Sequence, residues 1–411
     1  MNPIVYAIPV FMLTILLEAW IARRRGIAAY DIPDALTSLH LGVLSQLASA
    51  FSRVLTLGLY VAVWEQFRTF ELSAANPLVW VFALFAYDLA YYWYHRMSHE
   101  VALFWGGHVV HHSSEYFNLS TALRQSSTSP LFAWVFYAPL AVIGVPPVVF
   151  VTVGLIDLLY QYWVHTELIG RLGWLDRVLV TPSNHRVHHG QNEYCLDRNY
   201  GGILILWDRL FGTFVDERAE ERILYGVRTP LRAYNPIWGN LHVYADLWRS
   251  SVQAHGIKSK LAVWLGPPGG GGKAPAPWDR NAFTRFGAKS SKGVRFYVVA
   301  QYAIGNLALV AFLIQAGVMS GVEALAWGAL IAVGLLTQGV LLEGAAWARP
   351  AETARLVLFG VALAVAPRVM GSALAVHWRV TLILVAGLSL TVLWRLQSTP
   401  TTTPETVGLA R

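Results

Sequence analysis

Apolar segments, each about long enough to cross a lipid bilayer, recur along the chain and restrict its possible folds more than any other feature. A helix rises about 1.5 Å per residue, so about 20 mostly apolar residues match a hydrocarbon core of roughly 30 Å. Such segments lie near 4–22, 38–64 and 77–94, as a pair within 131–164, and again at 296–317, 322–347, 353–376 and 379–396. The pair is interrupted by Gly144-Val145-Pro146-Pro147 and reads as a helical hairpin making two short passes, while Pro367-Arg368 interrupts the segment at 353–376. The expectation is an all-α integral membrane protein, a polytopic helical bundle of about nine spans.

Composition agrees, with 55% hydrophobic and 13% charged residues. The first segment lacks a basic start and ends on Arg23-Arg24-Arg25 instead of a small-residue cleavage site, so it reads as a retained helix. The net charge of +7 lies mainly beside apolar segments, which points to membrane orientation and away from nucleic acid. Cys195 is the single cysteine, so no intrachain disulfide forms.

Orientation follows from the basic flanks. Arg23 to Arg25 place the end of the first span in the cytosol, the second span goes out, and the third returns with His95-Arg96 at its inner end. The hairpin crosses twice and brings His165 back to the same side. The polar stretch from Thr166 to about Val294 is long enough for a water-facing cap, and its later part holds a Gly266-Pro267-Pro268-Gly269-Gly270-Gly271-Gly272 linker. This divides the chain into a membrane-embedded unit with its cap at 1–265, a linker at 266–294, and C-terminal transmembrane helices at 295–411.

Nine of the thirteen histidines fall between positions 95 and 189: His95-x-x-x-His99, His108-x-x-His111-His112, His165, and His185-x-x-His188-His189. Positions i, i+3 and i+4 share one side of a helix, so each group presents its imidazoles toward a common point. A lone histidine is more often satisfied by ordinary hydrogen bonds. Three spaced clusters on one side of the membrane are not, because polar groups near lipid must each find a partner. One closed zinc site takes four ligands, so this number suggests two ions. Imidazole suits zinc, copper, iron and nickel, and the ligands alone do not choose. His40, His242, His255, His377 and Cys195 stand outside the clusters and read as structural.

These words resemble the eight-histidine signature of the fatty acid hydroxylase and sterol desaturase superfamily. Within it, Tyr91 to Glu100, His111 to Glu115, Asn118 to Ser126, Trp163 to Glu167, Thr181 to Gly190 and Trp207 to Phe214 are similar to the alkylglycerol monooxygenase branch. The resemblance is strongest from Asp34 through Thr213. It implies two iron ions with dioxygen as co-substrate, hydroxylation of the alkyl carbon beside an ether oxygen, and collapse to an aldehyde and a glycerol derivative. It also implies tetrahydrobiopterin as reductant. Against the wider superfamily, Gln161 stands where a further histidine is often found, so Gln161 reads as a partner behind the ligands and His165 as the ninth ligand.

Carboxylates beside the histidines are candidates for orienting imidazoles: Glu100, Asp88, Glu115 and Asp208. Asn118, Arg124 and Gln125 are candidates for a lipid head group or a pterin, or for capping the helices that hold the histidines. The alternative enzyme reading keeps the metals and changes the lipid to a fatty acyl chain, sterol, carotenoid or amino-lipid, with electrons from a separate redox protein. In either case the partners are a membrane lipid and an external electron donor. The compartment is the endoplasmic reticulum in a eukaryote or the inner membrane in a bacterium. A transporter would place its polar ligands near the membrane midplane in broken helices, whereas these clusters follow span ends.

Overall fold

A computed structural model describes residues 4–269, 279–287, 290–366 and 368–396. Gly270 to Gly272 of the expected linker, and Pro367, lie outside the described residues. The helices in chain order are α1 (Ile4–Arg24), α2 (Ile32–Phe67), α3 (Pro77–Glu100), α4 (Ala102–His112), α5 (Leu119–Ala122), α6 (Pro130–Ile143) and α7 (Pro147–Trp163). After these come α8 (Pro182–His188), α9 (Leu206–Phe211), α10 (Pro236–Gln253), α11 (Ile257–Leu265), α12 (Lys292–Gln315), α13 (Gly321–Glu343), α14 (Ala348–Val365) and α15 (Val376–Arg395). Among the described residues the only β pairings are isolated bridges, so the fold is all-helical.

By length and composition, five of the described helices can cross a membrane: α1, α2, α12, α13 and α15. The chain is a multi-pass membrane protein. Helix α2 has 36 residues, a length of about 54 Å, so it overshoots any hydrocarbon core. Its first turns carry Asp34, Thr37, Ser38 and His40, all buried in protein. Asp31 caps this end, its side chain accepting from the Asp34 amide at 3.2 Å. Helix α3 likewise continues past the apolar segment, and that extension carries His95 and His99.

Helices α6 and α7 are shorter, at 14 and 17 residues, and form the expected hairpin. Gly144 closes α6 at φ +111°, and a Cβ there would lie 2.0 Å from the Phe70 carbonyl oxygen. The turn is fastened to the far end of α2, where Tyr60 Oη donates to the Val145 carbonyl at 2.9 Å and Trp64 Nε1 to that of Gly144 at 3.2 Å.

The four C-terminal helices share a core with α2, in which Leu36, Val43 and Leu47 meet Val298, Leu309, Leu335 and Leu342. His40 Nε2 lies 3.0 Å from Gln338 Oε1, a polar bond between α2 and α13. Within this bundle the buried Glu352 pairs with Arg355 at 2.6 Å and accepts from Tyr297 Oη at 2.8 Å, so the charge is not left unpaired in an apolar setting.

Candidate metal centre

The histidines arrive on short, heavily capped elements. His95 and His99 end α3; the single extended residue Val101 turns the chain into α4, which carries His108, His111 and His112. His165 follows the last turn of α7. His185 and His188 lie on α8 with His189 at its C-cap, and α8 is started by Thr181, Pro182 and the reciprocal Thr181–Asn184 capping pair.

The rings form two groups. His95, His99, His108, His112 and His188 make one, and His111, His165, His185 and His189 the other, with the ligating atoms of each group within 4.8 Å of one another. The His112 and His189 rings stack at 4.3 Å between centroids, placing the groups side by side. Neither group includes a carboxylate.

Backbone carbonyls set the tautomers. Nδ1 of His95 donates to Tyr200 O at 2.8 Å, that of His111 to Arg124 O at 3.0 Å, that of His165 to Gln161 O at 2.8 Å, and that of His188 to Arg198 O at 2.9 Å. A carbonyl only accepts, so these four rings carry their proton on Nδ1 and keep a lone pair on Nε2. Burial, reinforced by neighbouring imidazoles, holds His108, His112, His185, His188 and His189 well below the usual histidine range. Burial also brings His111 down to about 4. These six rings, with His95 and His165 lowered by burial in the same way, are therefore neutral near pH 7.

Neutral rings in this arrangement fit a cation. His111 and His165 face each other Nε2 to Nε2 at 3.2 Å, lone pair against lone pair, which repels unless positive charge lies between them. The other Nε2 neighbours are His95–His108 at 2.9 Å, His108–His112 and His112–His188 at 3.1 Å, His165–His185 at 3.0 Å and His185–His189 at 3.2 Å. Two imidazoles held at right angles about one ion, each roughly 2.1 Å from it, stand about 3.0 Å apart. His99 Nε2 is buried without a hydrogen-bond partner, an orphan that an ion in the first group would satisfy.

The other residues singled out in the sequence lie around this centre. Asp88 is buried in α3 and accepts from Ile203 N at 2.7 Å, Leu204 N at 3.1 Å and Trp207 Nε1 at 2.8 Å. Asp208 accepts from Tyr200 N and Gly201 N, both at 2.7 Å, and from Thr213 Oγ1 at 2.6 Å; burial raises it to about 6. Both carboxylates thus fix the loop whose Tyr200 carbonyl holds His95. Glu100 pairs with Arg96 at 2.8 Å. Glu115 accepts from Phe286 N at 2.5 Å, and burial, aided by Asp34, raises it to about 7. Asn118 caps α5 and donates to Ala29 O at 2.6 Å. The Arg124 guanidinium is taken up by Asp34 Oδ1 at 2.7 Å, Ser38 at 3.0 Å and Ser113 at 2.9 Å, so its carbonyl is firmly placed for His111. Gln125 Nε2 donates to Ala122 O at 2.8 Å.

Two features escaped the sequence reading. Asp197 and Asn199 adopt left-handed φ of 55° and 57°, which turns the Arg198 and Tyr200 carbonyls toward His188 and His95. The signal was present as Asp197-Arg198-Asn199-Tyr200-Gly201-Gly202, residue types that tolerate such a turn. Asp157, buried on α7, accepts from Gln161 Nε2 at 2.6 Å, while Gln161 Oε1 accepts from Tyr91 Oη at 2.6 Å. A solitary acid inside an apolar segment was the available clue.

Beside the centre lies a cavity of about 330 Å³. His108, His111 and His165 line it together with Tyr91, Gln125, Asp157 and Gln161. Ile8, Phe11, Leu39, Val43 and Leu309, from α1, α2 and α12, give it apolar walls.

A family model for fatty acid hydroxylase matches residues 80–213, the stretch that contains all nine of these histidines. Alkylglycerol monooxygenase of Homo sapiens is 39% identical over 363 residues, covering 86% of this chain and 80% of that protein. Alkylglycerol monooxygenase of Danio rerio is 45% identical over 264 residues, 64% of this chain and 58% of the relative. An ornithine lipid hydroxylase of Rhizobium tropici is 32% identical over 135 residues, 33% of this chain and 41% of the relative. No solved structure matches the chain.

Proposed function

The chain belongs to the alkylglycerol monooxygenase family and is an oxidoreductase, and from that premise we propose that it hydroxylates the alkyl carbon next to the ether oxygen of an alkylglycerol. The product carbon bears both a hydroxyl and the ether oxygen. It collapses to an aldehyde and a free glycerol hydroxyl. The balance is one dioxygen, two electrons and two protons in, and one water out for each hydroxylation, so a reductant must be supplied from outside the protein. Tetrahydrobiopterin is the proposed donor.

One observation carries this reading: His108 of one histidine group and His111 and His165 of the other line a cavity set among membrane helices, with apolar walls from α1, α2 and α12. Two iron ions, one per histidine group, would supply the redox chemistry that activates dioxygen, and neutral ligands leave each ion its full charge. The protein's own share is placement. The walls from α1, α2 and α12 hold an alkyl chain out of water, and the edge formed by His108, His111 and His165 defines which carbon is attacked. Tyr91, Gln161 and Asp157 supply polar partners at the same end for an ether or glycerol oxygen. The lipid enters sideways from the bilayer.

The nine-span topology belongs to the same proposal, counting α1, α2, α3, α6, α7 and α12 to α15, with the histidine cap in the cytosol beside Arg23 to Arg25. So does the division into a catalytic unit at 1–265, a linker at 266–294 and C-terminal helices from 295. The membrane is the endoplasmic reticulum in a eukaryote or the inner membrane in a bacterium. The ornithine lipid relative favours a second reading, an amino-lipid or other acyl-chain hydroxylase drawing electrons from a redox protein.

The test is full-length protein in nanodiscs, assayed for bound iron and for aldehyde release from an alkylglycerol with oxygen and tetrahydrobiopterin. Two irons per chain with aldehyde formation is the expected result. Two irons without aldehyde, but with hydroxylation of an ornithine lipid given a redox protein, would select the second reading; absence of iron binding would overturn both.

A further inference from the structure

Helix α10 carries three distinct faces. Gly239 and Asn240 turn inward and are buried. His242, Asp246, Arg249 and Gln253, spaced i, i+4, i+7 and i+11, form a polar stripe. Trp238, Leu241, Ala245, Trp248 and Val252, spaced i, i+3, i+7, i+10 and i+14, form an apolar stripe at about 100° per residue. That apolar stripe is not in the core, since Trp248 is 66% exposed and Val252 63%. Helix α11 repeats the pattern, with Ile257, Leu261 and Leu265 exposed at i, i+4 and i+8 beside Lys258 and Lys260.

One end of this helix pair joins the end of the membrane helix α13, and the other joins the α3–α4 junction. Tyr234 N and Asn235 N, at the start of α10, donate to Glu343 Oε1 at the last residue of α13, at 2.7 and 2.9 Å. Gly266 O, just past α11, accepts from Ala102 N at the α3–α4 junction at 2.8 Å. A pair pinned at one end to the last residue of the membrane helix α13 and at the other just past the extension of α3 lies near the border of the hydrocarbon, where an amphipathic helix rests in the plane of the membrane with its apolar side sunk into the head-group boundary. Trp238 and Trp248 suit that boundary, having an apolar ring and one N–H. Lys258, Lys260 and Arg249 add attraction to anionic head groups.

We propose that α10 and α11 form an in-plane membrane-binding platform, docking their exposed apolar stripe into the same leaflet that the histidine cap overlies. The occupant is the bilayer surface. This inference rests on the chain being a membrane protein and is independent of which lipid it oxidises.

The sole cysteine makes the test direct. Cys195 is buried and its thiol is pushed up to about 12 by burial, so a thiol reagent spares it near neutral pH. Single substitutions Leu241→Cys, Val252→Cys and Leu261→Cys, with Asp246→Cys and Gln253→Cys on the polar stripe, are spin-labelled in the full-length chain in nanodiscs containing anionic lipid. Bound metal and monodispersity certify each variant. Labels at 241, 252 and 261 are expected to collide several-fold more often with dissolved oxygen than with a water-soluble nickel chelate, and labels at 246 and 253 the reverse. Nickel access at 241 and 252 equal to that at 253 would overturn the proposal. So would label-to-label coupling between chains at 241 or 252, which would show that a second copy covers the stripe.

Discussion

Asp208→Asn tests whether the loop behind the centre governs the metal. The carboxylate is fully buried and meets three donors: Tyr200 N and Thr213 Oγ1 on Oδ1, and Gly201 N on Oδ2. An asparagine in the same place keeps one oxygen. In its better orientation it retains the Tyr200 and Thr213 bonds, and its amide N–H₂ then confronts the Gly201 N–H. The loss is one charge-assisted hydrogen bond plus an unmatched buried donor, about 2–3 kcal/mol of stability. Because Tyr200 O orients His95, the same change should loosen metal binding by about 10–100-fold, the usual penalty for removing a group that orients a ligand. Thermal unfolding in detergent measures the first quantity and competition with a chelator the second. A lower melting temperature with unchanged metal affinity would refute the coupling between loop and centre; no change in either would refute the strength assigned to the carboxylate.

Other outcomes follow from the same geometry. His108→Ala should abolish activity and reduce bound metal while the protein still inserts, as read by metal analysis of membrane-extracted protein. Gly144→Ala forces a Cβ into the Phe70 carbonyl at positive φ, and should cost more than about 2 kcal/mol, seen as a lowered unfolding midpoint. Glu115, raised to about 7 by burial, binds a proton in the folded chain between about pH 4.5 and 7 that the unfolded chain does not, so its contribution to stability rises as pH falls through that window. Glu115→Gln should flatten this part of the stability–pH profile, by up to about 3 kcal/mol; an unchanged slope between pH 8 and 5.5 would count against it.

Much of this molecule was legible from spacing. The 1.5 Å rise and the apolar segments placed the long helices in order, and the i, i+4 spacing of His108 and His112 brings two imidazoles of α4 into one group. Which histidine joins which group was not legible. His111 and His112 are adjacent in sequence, yet they fall in different groups because neighbouring positions on a helix point about 100° apart. The acceptors that set the tautomers were also hidden, because they are main-chain carbonyls of Arg124, Gln161, Arg198 and Tyr200, and every residue type has a carbonyl. Arg124 shows the difference: its side chain left open a head-group or pterin contact and a structural role beside the histidine helices, and the structure engages it with Asp34, Ser38 and Ser113. The start of α2 was placed too late because Asp34, Thr37 and Ser38 lower its hydropathy, although Asp31 and Pro33 mark a helix start.

The arrangement of imidazole nitrogens has a consequence for biogenesis. Six close Nε2–Nε2 approaches would have to be hydrogen bonds if the imidazoles were held together without an ion, and between His111 and His165 neither Nε2 has a proton to offer. On the proposed metal reading, ion uptake would remove that lone-pair repulsion, and its binding energy would add to the stability of the segments that converge there. Newly made chains starved of iron should mature poorly in this region even when every helix has entered the bilayer, so cellular iron supply would set how much enzyme survives quality control.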